Sequence, residues 1–465
     1  MKMARAEAQS LRHFLGTGSP QRFFFDRAAR AGVADIAAGT SLGDRLEELA
    51  GRSVLLATGS QLATALALIE LSGLVRRLTI LPPDADSDHF SAVMAGAEID
   101  AVVTDPASPA SAAFDLPVRV ESVPGIAVLA APPPAALGTE WVMLTSGTSG
   151  VPKMVVHSLA GLTAPMRGGR ATGRDVVWGT FYDIRRYGGL QIFLRAILGD
   201  ASLVLSSAGE PIADHLERLA RHGVTHLSGT PSHWRKALMS PEVKKISPRY
   251  VRLSGEIADQ AILDSLRKTF PRAVVGHAYA STEAGVAFEV DDGLEGFPAR
   301  FVEHARDGIE MKVLNGSLRI RSPRAARRYI GPDAASLVDD DGFVDTGDMV
   351  ELHDHRYVFA GRRGGIINIG GLKVHPEEIE AVINRHPQVR MSLVRPKKSP
   401  ITGSIVIADV VLKSGACVGG ELIELKGDIL KLCREALPRH KIPASISFVP
   451  ALDIAASGKL ARRQS

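Results

Sequence analysis

Short apolar runs alternate with amphipathic stretches of about a dozen residues over most of this chain, and this rhythm predicts its elements. Ser53–Ala57 reads as a buried strand, Gln61–Leu71 as a helix, Leu78–Leu81 and Ala101–Val103 as further strands. The pattern resumes with strands at Ser202–Leu205, Val224–Leu227, Val251–Ser254 and Ala273–Gly276, interleaved with helices at Ile212–His222 and Asp259–Phe270. Strands and helices in that order imply parallel βαβ units. Ligands of such sheets sit outside the carboxyl ends of strands.

After about residue 300 the rhythm changes. Ile309–Val313, Ser317–Ile320, Phe343–Val344 and Tyr357–Phe359 are short and separated by turn residues, which predicts an antiparallel region. Gly361–Gly365 (GRRGG) reads as a linker, and Pro-rich Ala131–Pro134 as a connector. The remainder reads as a small α+β unit. One of its helices starts at Pro376, whose missing N–H costs nothing there, and stops at Pro387. The expected fold class is therefore α/β: a large N-terminal domain (residues 1–361) of parallel βαβ sheets plus a small antiparallel region, and a small mobile α+β domain (residues 362–465).

Composition narrows this little. The 465 residues are 45% hydrophobic and 23% charged, as in a soluble globular protein, and the net charge of +4 is too mild to imply nucleic acid. No run reaches the length of a membrane span. Two cysteines, Cys417 and Cys433, make no disulfide framework and lack metal-ligand spacing, so a cytoplasmic setting is expected.

The candidate chemistry begins at Trp141–Lys153, WVMLTSGTSGVPK. An apolar strand runs into a turn of hydroxyls and glycines: Thr145, Ser146, Gly147, Thr148, Ser149, Gly150. Glycines let backbone approach a ligand, successive N–H groups form a concave anion site, and Lys153 adds a point charge for phosphate. It is not a Walker loop, because Lys153 comes three residues after the last glycine and no Ser or Thr follows it.

Five further stretches follow in fixed order: YASTE (Tyr279–Glu283), DTGD (Asp345–Asp348), GR (Gly361–Arg362), GGLKVHPEEIE (Gly370–Glu380) and SGK (Ser457–Lys459). With TSGTSGVPK, this set resembles the signature of the AMP-forming adenylating enzymes: acyl-CoA synthetases, adenylation domains of nonribosomal peptide synthetases, and firefly luciferase. The resemblance covers about residues 40–465. It implies activation of a carboxylic acid by ATP to an acyl-adenylate with release of pyrophosphate, then transfer to a thiol, with a small domain rotating between the two steps.

Residue by residue, the resemblance implies that the Thr145–Gly150 loop and Lys153 hold the ATP phosphates. Thr282 and Glu283 would be catalytic, with Glu283 holding Mg²⁺. Gly255, Glu256, His277 and Tyr279 would line the adenine slot. Asp348 and Arg362 would contact the ribose. Lys459 would bridge the substrate carboxylate and the α-phosphate. Gly364 stands at the usual Asp or Lys pivot of the hinge near 362–365. The acceptor would be CoA or the phosphopantetheine of a separate carrier protein, with Gly371 and Lys373 lining the pantetheine tunnel. Arg324, Arg327 and Arg328 could meet CoA phosphates or an acidic carrier.

Phe181, Tyr182, Asp183, Tyr187, Gly189 and Ala280 are acyl-pocket candidates, with Gly255 and Ala278 opposite. Where the family often has a His, this chain has FYDIRRYGGL (Phe181–Leu190). Asp183 there leaves open an enzyme that binds an amino acid's ammonium and loads a peptidyl carrier. The second alternative is an inactive nucleotide-binding scaffold.

Overall fold

The computed structural model describes residues 10–15, 21–108, 114–123, 125–129, 137–145, 152–166, 175–332, 334–369, 372–399, 403–413, 421–455 and 457–462. Ala131–Pro134 and Cys417 lie outside them.

Two large sheets dominate. The first has seven strands, in spatial order Arg328–Ile330, Lys153–Ser158, Glu140–Thr145, Arg77–Ile80, Ser53–Leu56, Ala101–Thr104 and Val118–Glu121. From Glu140–Thr145 onward the pairs are parallel, and the two strands before it are antiparallel additions. The second has eight: Gly285–Val290, Val274–Ser281, Tyr250–Ser254, His226–Gly229, Val177–Thr180, Ser202–Val204, Phe23–Phe25 and Arg30–Gly32. Only its two edge pairs are antiparallel.

Helices Gln61–Leu71 and Tyr187–Leu198 pack in one core that draws on both sheets, with Trp141 and Trp178 completely buried. Gln61–Leu71 is buried at every position, which explains a helix apolar on all sides. Ser60 caps its start by accepting from the N–H groups of Leu62 and Ala63.

A third, five-stranded antiparallel sheet joins Phe297–Pro298, Arg356–Arg362, Val344–His353, Ser317–Arg321 and Glu310–Leu314. Past it, the chain builds a separate core whose buried members all lie between Ile367 and Ile446. That unit has strands Val389–Ser399, Gly403–Leu412 and Ser445–Phe448, with helices Pro376–Asn384 and Glu421–Ala436. Cys433 is a buried free thiol there, its pKa pushed up to about 11 by burial.

The expected strands are present, several with shifted or longer bounds. Val224–Leu227 is displaced, the strand being His226–Gly229. Ala273–Gly276 is too short: the strand runs Val274–Ser281, so the YAS of YASTE is itself sheet. Phe343–Val344 likewise extends to Val344–His353 and carries DTGD inside it. Arg362, expected in the linker, ends the strand Arg356–Arg362, and only Arg363–Gly365 forms a short 3₁₀ turn. Pro376 opens its helix as expected.

Candidate active site

The stretch expected to bind phosphate joins two paired strands. Glu140–Thr145 and Lys153–Ser158 are antiparallel, with Thr145 directly opposite Lys153. Ser146, Gly147, Thr148, Ser149 and Gly150 lie outside the described residues. Lys153 is exposed, with its Nζ 5.3 Å from the centre of the Tyr329 ring. Tyr329 sits on the neighbouring strand, opposite Val155, and its hydroxyl is 3.5 Å from Glu283 Oε1. The expected phosphate lysine and metal carboxylate thus share one aromatic neighbour. No motif pointed to Tyr329; only the pairing of two strands more than 170 residues apart brings it here.

Thr282 and Glu283 occupy the turn between Val274–Ser281 and Gly285–Val290. Ser281 Oγ accepts from Ala284 N at 3.0 Å, and the Glu283 carbonyl accepts from Ala326 N at 2.9 Å. Gly285 has φ +76°, and a Cβ there would meet the Arg324 carbonyl oxygen at 2.3 Å, so this turn requires glycine. Behind it His157 is buried, which drives its pKa to about 4 against the pull of the Thr282 backbone. Its imidazole is neutral at pH 7.

At the expected nucleoside end Asp348 is held from two sides. Arg362 Nε donates to Oδ1 at 2.8 Å and the Tyr279 hydroxyl donates to Oδ2 at 2.5 Å. Asp348 and Arg362 are cross-strand partners. Tyr279 stacks near-parallel on Phe359 (5.2 Å, 9°) and on Phe288 (5.6 Å, 20°). Asp345, the first acid of DTGD, instead binds Ser317, Arg319 and Arg363.

Two adenine candidates have other partners. His277 is buried with Nε2 3.0 Å from the Leu294 carbonyl, and burial lowers its pKa. Glu256 is a bracket: Oε2 accepts from Ser232 N and Oε1 from Leu460 N, both at 2.9 Å. It ties the start of helix Pro231–Ala237 to the C-terminal segment that carries Lys459. Thr230, the N-cap of that helix, donates its hydroxyl to the Gly458 carbonyl at 2.5 Å. Gly458 has φ +77°, and a Cβ on it would sit 2.0 Å from His233 Cε1. His233 is neutral, its pKa driven to about 3 by burial and by His215.

These contacts deliver Lys459 to Gly255, whose ideal Cβ would lie 3.7 Å from Lys459 Cε. Lys459 remains open to solvent within its cleft. Enclosure by protein, then the Arg362 cation, lowers its pKa, against Glu256 and Asp348. Lys459, Arg362, Asp348 and Glu256 therefore feel one another's charge, although they come from two separately cored parts of the chain.

The acyl-pocket candidates divide. Asp183 is already occupied: Arg185 grips it with Nε–Oδ1 at 2.8 Å and Nη2–Oδ2 at 2.6 Å, the acid side chain being 10% exposed. A carboxylate so paired is not free for an ammonium. Gly189 is a packing residue, since a Cβ would meet the Asp183 carbonyl oxygen at 2.1 Å. Phe181 is buried against His233 and Trp234. Tyr182 donates to the Ser254 carbonyl at 2.7 Å, while Tyr187 packs 5.5 Å from the His157 ring. Ala280 is half-buried on Val274–Ser281.

Of the acceptor candidates, Lys373 is exposed on Leu372–Val374, and Gly371 lies outside the described residues. The basic trio forms no common patch. Arg324 turns inward and donates to the Val286 carbonyl at 3.1 Å, while Arg328 pairs with Glu140 at 2.6 Å. The Arg327 backbone N–H donates to Val156. Gly364 is exposed, and nothing lies within 4 Å of a Cβ built on it, so this conformation does not demand glycine there.

Comparison with known proteins gives the family and the fold. The family model described as AMP-binding enzyme matches residues 59–329, and that of the AMP-binding enzyme C-terminal domain matches 378–459. The chain belongs to this family, the AMP-forming adenylating enzymes, and within it to the acid–thiol ligases. A 2-succinylbenzoate–CoA ligase of Bacillus velezensis is 28% identical over 345 residues, 70% of this chain and 68% of that protein. 4-Coumarate–CoA ligase 3 of Arabidopsis thaliana is 25% identical over 349 residues, 69% of this chain and 61% of its own. Among solved structures, the anthranilate CoA ligase AuaEII with anthranoyl-AMP has a TM-score of 0.76 at 17% identity, covering 97% of this chain and 95% of its own. The o-succinylbenzoate CoA synthetase of Bacillus subtilis with its acyl-adenylate intermediate has 0.72 at 19%, covering 97% and 96%. At such identity these two show the fold. No helix among the described residues is long and apolar enough to cross a membrane.

Proposed function

We propose that this chain activates a small aromatic carboxylic acid with ATP and passes the acyl group from the adenylate to CoA. The observation that carries the reading is the docking of Lys459 beside Arg362, Asp348 and Glu256. A cation there draws the acid's carboxylate towards the α-phosphate and offsets the charge that builds in the transition state. Asp348, oriented by Tyr279 and Arg362, accepts from the ribose hydroxyls. Lys153 and the loop before it hold the leaving pyrophosphate. Glu283 suits Mg²⁺: one partly exposed carboxylate leaves positions for water and phosphate oxygens, the donor set this ion prefers. When bound, the metal neutralises phosphate charge.

The aromatic class rests on the succinylbenzoate and coumarate ligases among the relatives. The ion pair of Asp183 with Arg185 weighs against an amino-acid substrate. Domains meeting near 363–365 would rotate there, undocking Lys459 for thioester formation. Acid-dependent ATP–pyrophosphate exchange, followed by transfer to CoA or to a holo-carrier protein, tests the reading. Exchange with aryl acids and transfer to CoA are expected. An α-amino acid as best substrate, transfer to a carrier alone, or no exchange with any acid would overturn it.

A further inference from the structure

Beneath helix Tyr187–Leu198 lies a polar face that the adenylation chemistry leaves unexplained. Strand Tyr250–Ser254 sends Val251 and Leu253 into the core around Trp234. Alternation then puts Tyr250, Arg252 and Ser254 on the opposite face. Parallel register sets Arg252 beside Gly276 and Ser254 beside Ala278, and Ala278 in turn faces Glu289. Small residues, Gly276 and Ala278 with Ala280 beyond them, floor this face. The helix covering it presents Tyr187, Gln191 and Arg195, spaced by four residues and so on one stripe.

The charges on this face do not balance. Arg252 Nε at 3.0 Å and Arg195 Nη2 at 2.6 Å donate to the same oxygen, Glu289 Oε1. Arg252 and Arg195 side chains are 3% and 13% exposed, Glu289 37%. Arg324 adds a third guanidinium whose charge reaches Arg195, and its acidic neighbour, Asp307, is 65% exposed at 3.8 Å. Among the described residues Arg252 Nη2, Arg195 Nε and Gln191 Oε1 have no hydrogen-bond partner. A buried cation with unmade bonds is costly. Two guanidiniums over a floor of small side chains suit a carboxylate, which accepts from both.

The face also lies at the right depth. Arg252 is three residues before Gly255, the neighbour of Lys459, which is about 10 Å along a strand. We propose that this face is the far end of the acid site, and that Arg252 and Arg195 select an acid bearing a second carboxylate remote from the one activated. The inference rests on the ligase reading and deepens it to a dicarboxylic acid.

The test compares 3-(4-carboxyphenyl)propanoate with 3-phenylpropanoate, by isothermal titration and by ATP–pyrophosphate exchange. The full chain should bind the dicarboxylate at least tenfold more tightly and show the same preference in kcat/KM. Arg252→Gln should erase that preference through KM, leaving 3-phenylpropanoate within about threefold, and Arg252→Lys should keep part of it. Equal binding of the two acids by the unmodified protein overturns the inference, as does equal loss on both in a folded Arg252→Gln protein. Exchange with monocarboxylic acids alone overturns it while sparing the ligase reading. Preferential binding of the dicarboxylate without exchange supports the anion site and overturns the ligase reading.

Discussion

Asp348 is oriented before any nucleotide arrives, and two donors do it. Tyr279 contributes one of them while its ring is fixed between Phe288 and Phe359. Tyr279→Phe keeps the stack and removes only the hydroxyl, so KM for ATP should rise by about tenfold to a hundredfold with kcat little changed, the size of one hydrogen bond to a charged group. Steady-state exchange kinetics at varied ATP check this. An unchanged KM would show that the hydroxyl contributes nothing to ribose binding. At this scale the motifs YASTE, DTGD, GR and SGK point to Glu283, Asp348, Arg362 and Lys459, and the structure brings Asp348, Arg362 and Lys459 within reach of one another's charge. What they concealed was partnership. Asp183 and Glu256 are both acids near the site, yet one is bound by Arg185 and the other by two backbone N–H groups. Those bonds depend on tertiary placement that local spacing does not encode.

Among elements, the one that positions Lys459 is the smallest. The turn at Ser457–Lys459 docks because Gly458 accepts φ +77° and lets the His233 ring close against its Cα. Gly458→Ala places a methyl inside that ring and a side chain at positive φ. We expect this variant to fold normally, lose exchange activity about a hundredfold, and make thioester from supplied acyl-adenylate at near-normal rate. Exchange within threefold of normal would show that docking does not need this contact. Element lengths follow apolar periodicity where it is clean, as at Ile212–Arg221. They were missed where polar motif residues continue a strand, as in Val344–His353. They were missed also where pairing is remote: Phe23–Phe25 joins its sheet beside Ser202–Val204. Backbone pairing, which carries no apolar pattern, extends these strands.

Over the whole molecule, buried titratable groups set the pH range of stability. His157 and His233 titrate near 4 and 3 when folded, below the ordinary 6.5. Between those values the unfolded chain binds more protons, so both histidines withdraw stability as pH falls from about 6.5. Glu380 works the other way. Burial raises it to about 7 against Arg462, so the folded chain holds its proton and loses stability as pH rises from 4.5 to 7. His226, driven to about 4 as well, acts in the same direction, so the histidines outweigh the one glutamate and stability falls on acidification from 6 to 5. Below 4.5 the loss steepens, because Glu289 and Glu210 are held near 2 by their arginines and His215. Urea midpoints at pH 7, 6, 5 and 4 should fall in that order. A midpoint that rises between pH 6 and 5 would mean the histidines are not buried neutral.

The two separately cored parts meet at more than Lys459. Arg235, on the helix Pro231–Ala237, pairs with Asp259 at 2.5 Å and donates to the Arg390 carbonyl at 3.1 Å, while Asn384 donates to the same Asp259 oxygen at 3.1 Å. On the proposed reading this arrangement serves adenylation, and Lys459 acts in that half-reaction alone. The direct measurement separates the two steps in Lys459→Ala, using ATP–pyrophosphate exchange for the first and CoA-dependent consumption of synthetic acyl-adenylate for the second. The account predicts a loss of about 10²–10³-fold in exchange, the scale of one transition-state charge contact, with thioester formation within a few-fold of normal. Equal loss in both steps, or undiminished exchange, would contradict it.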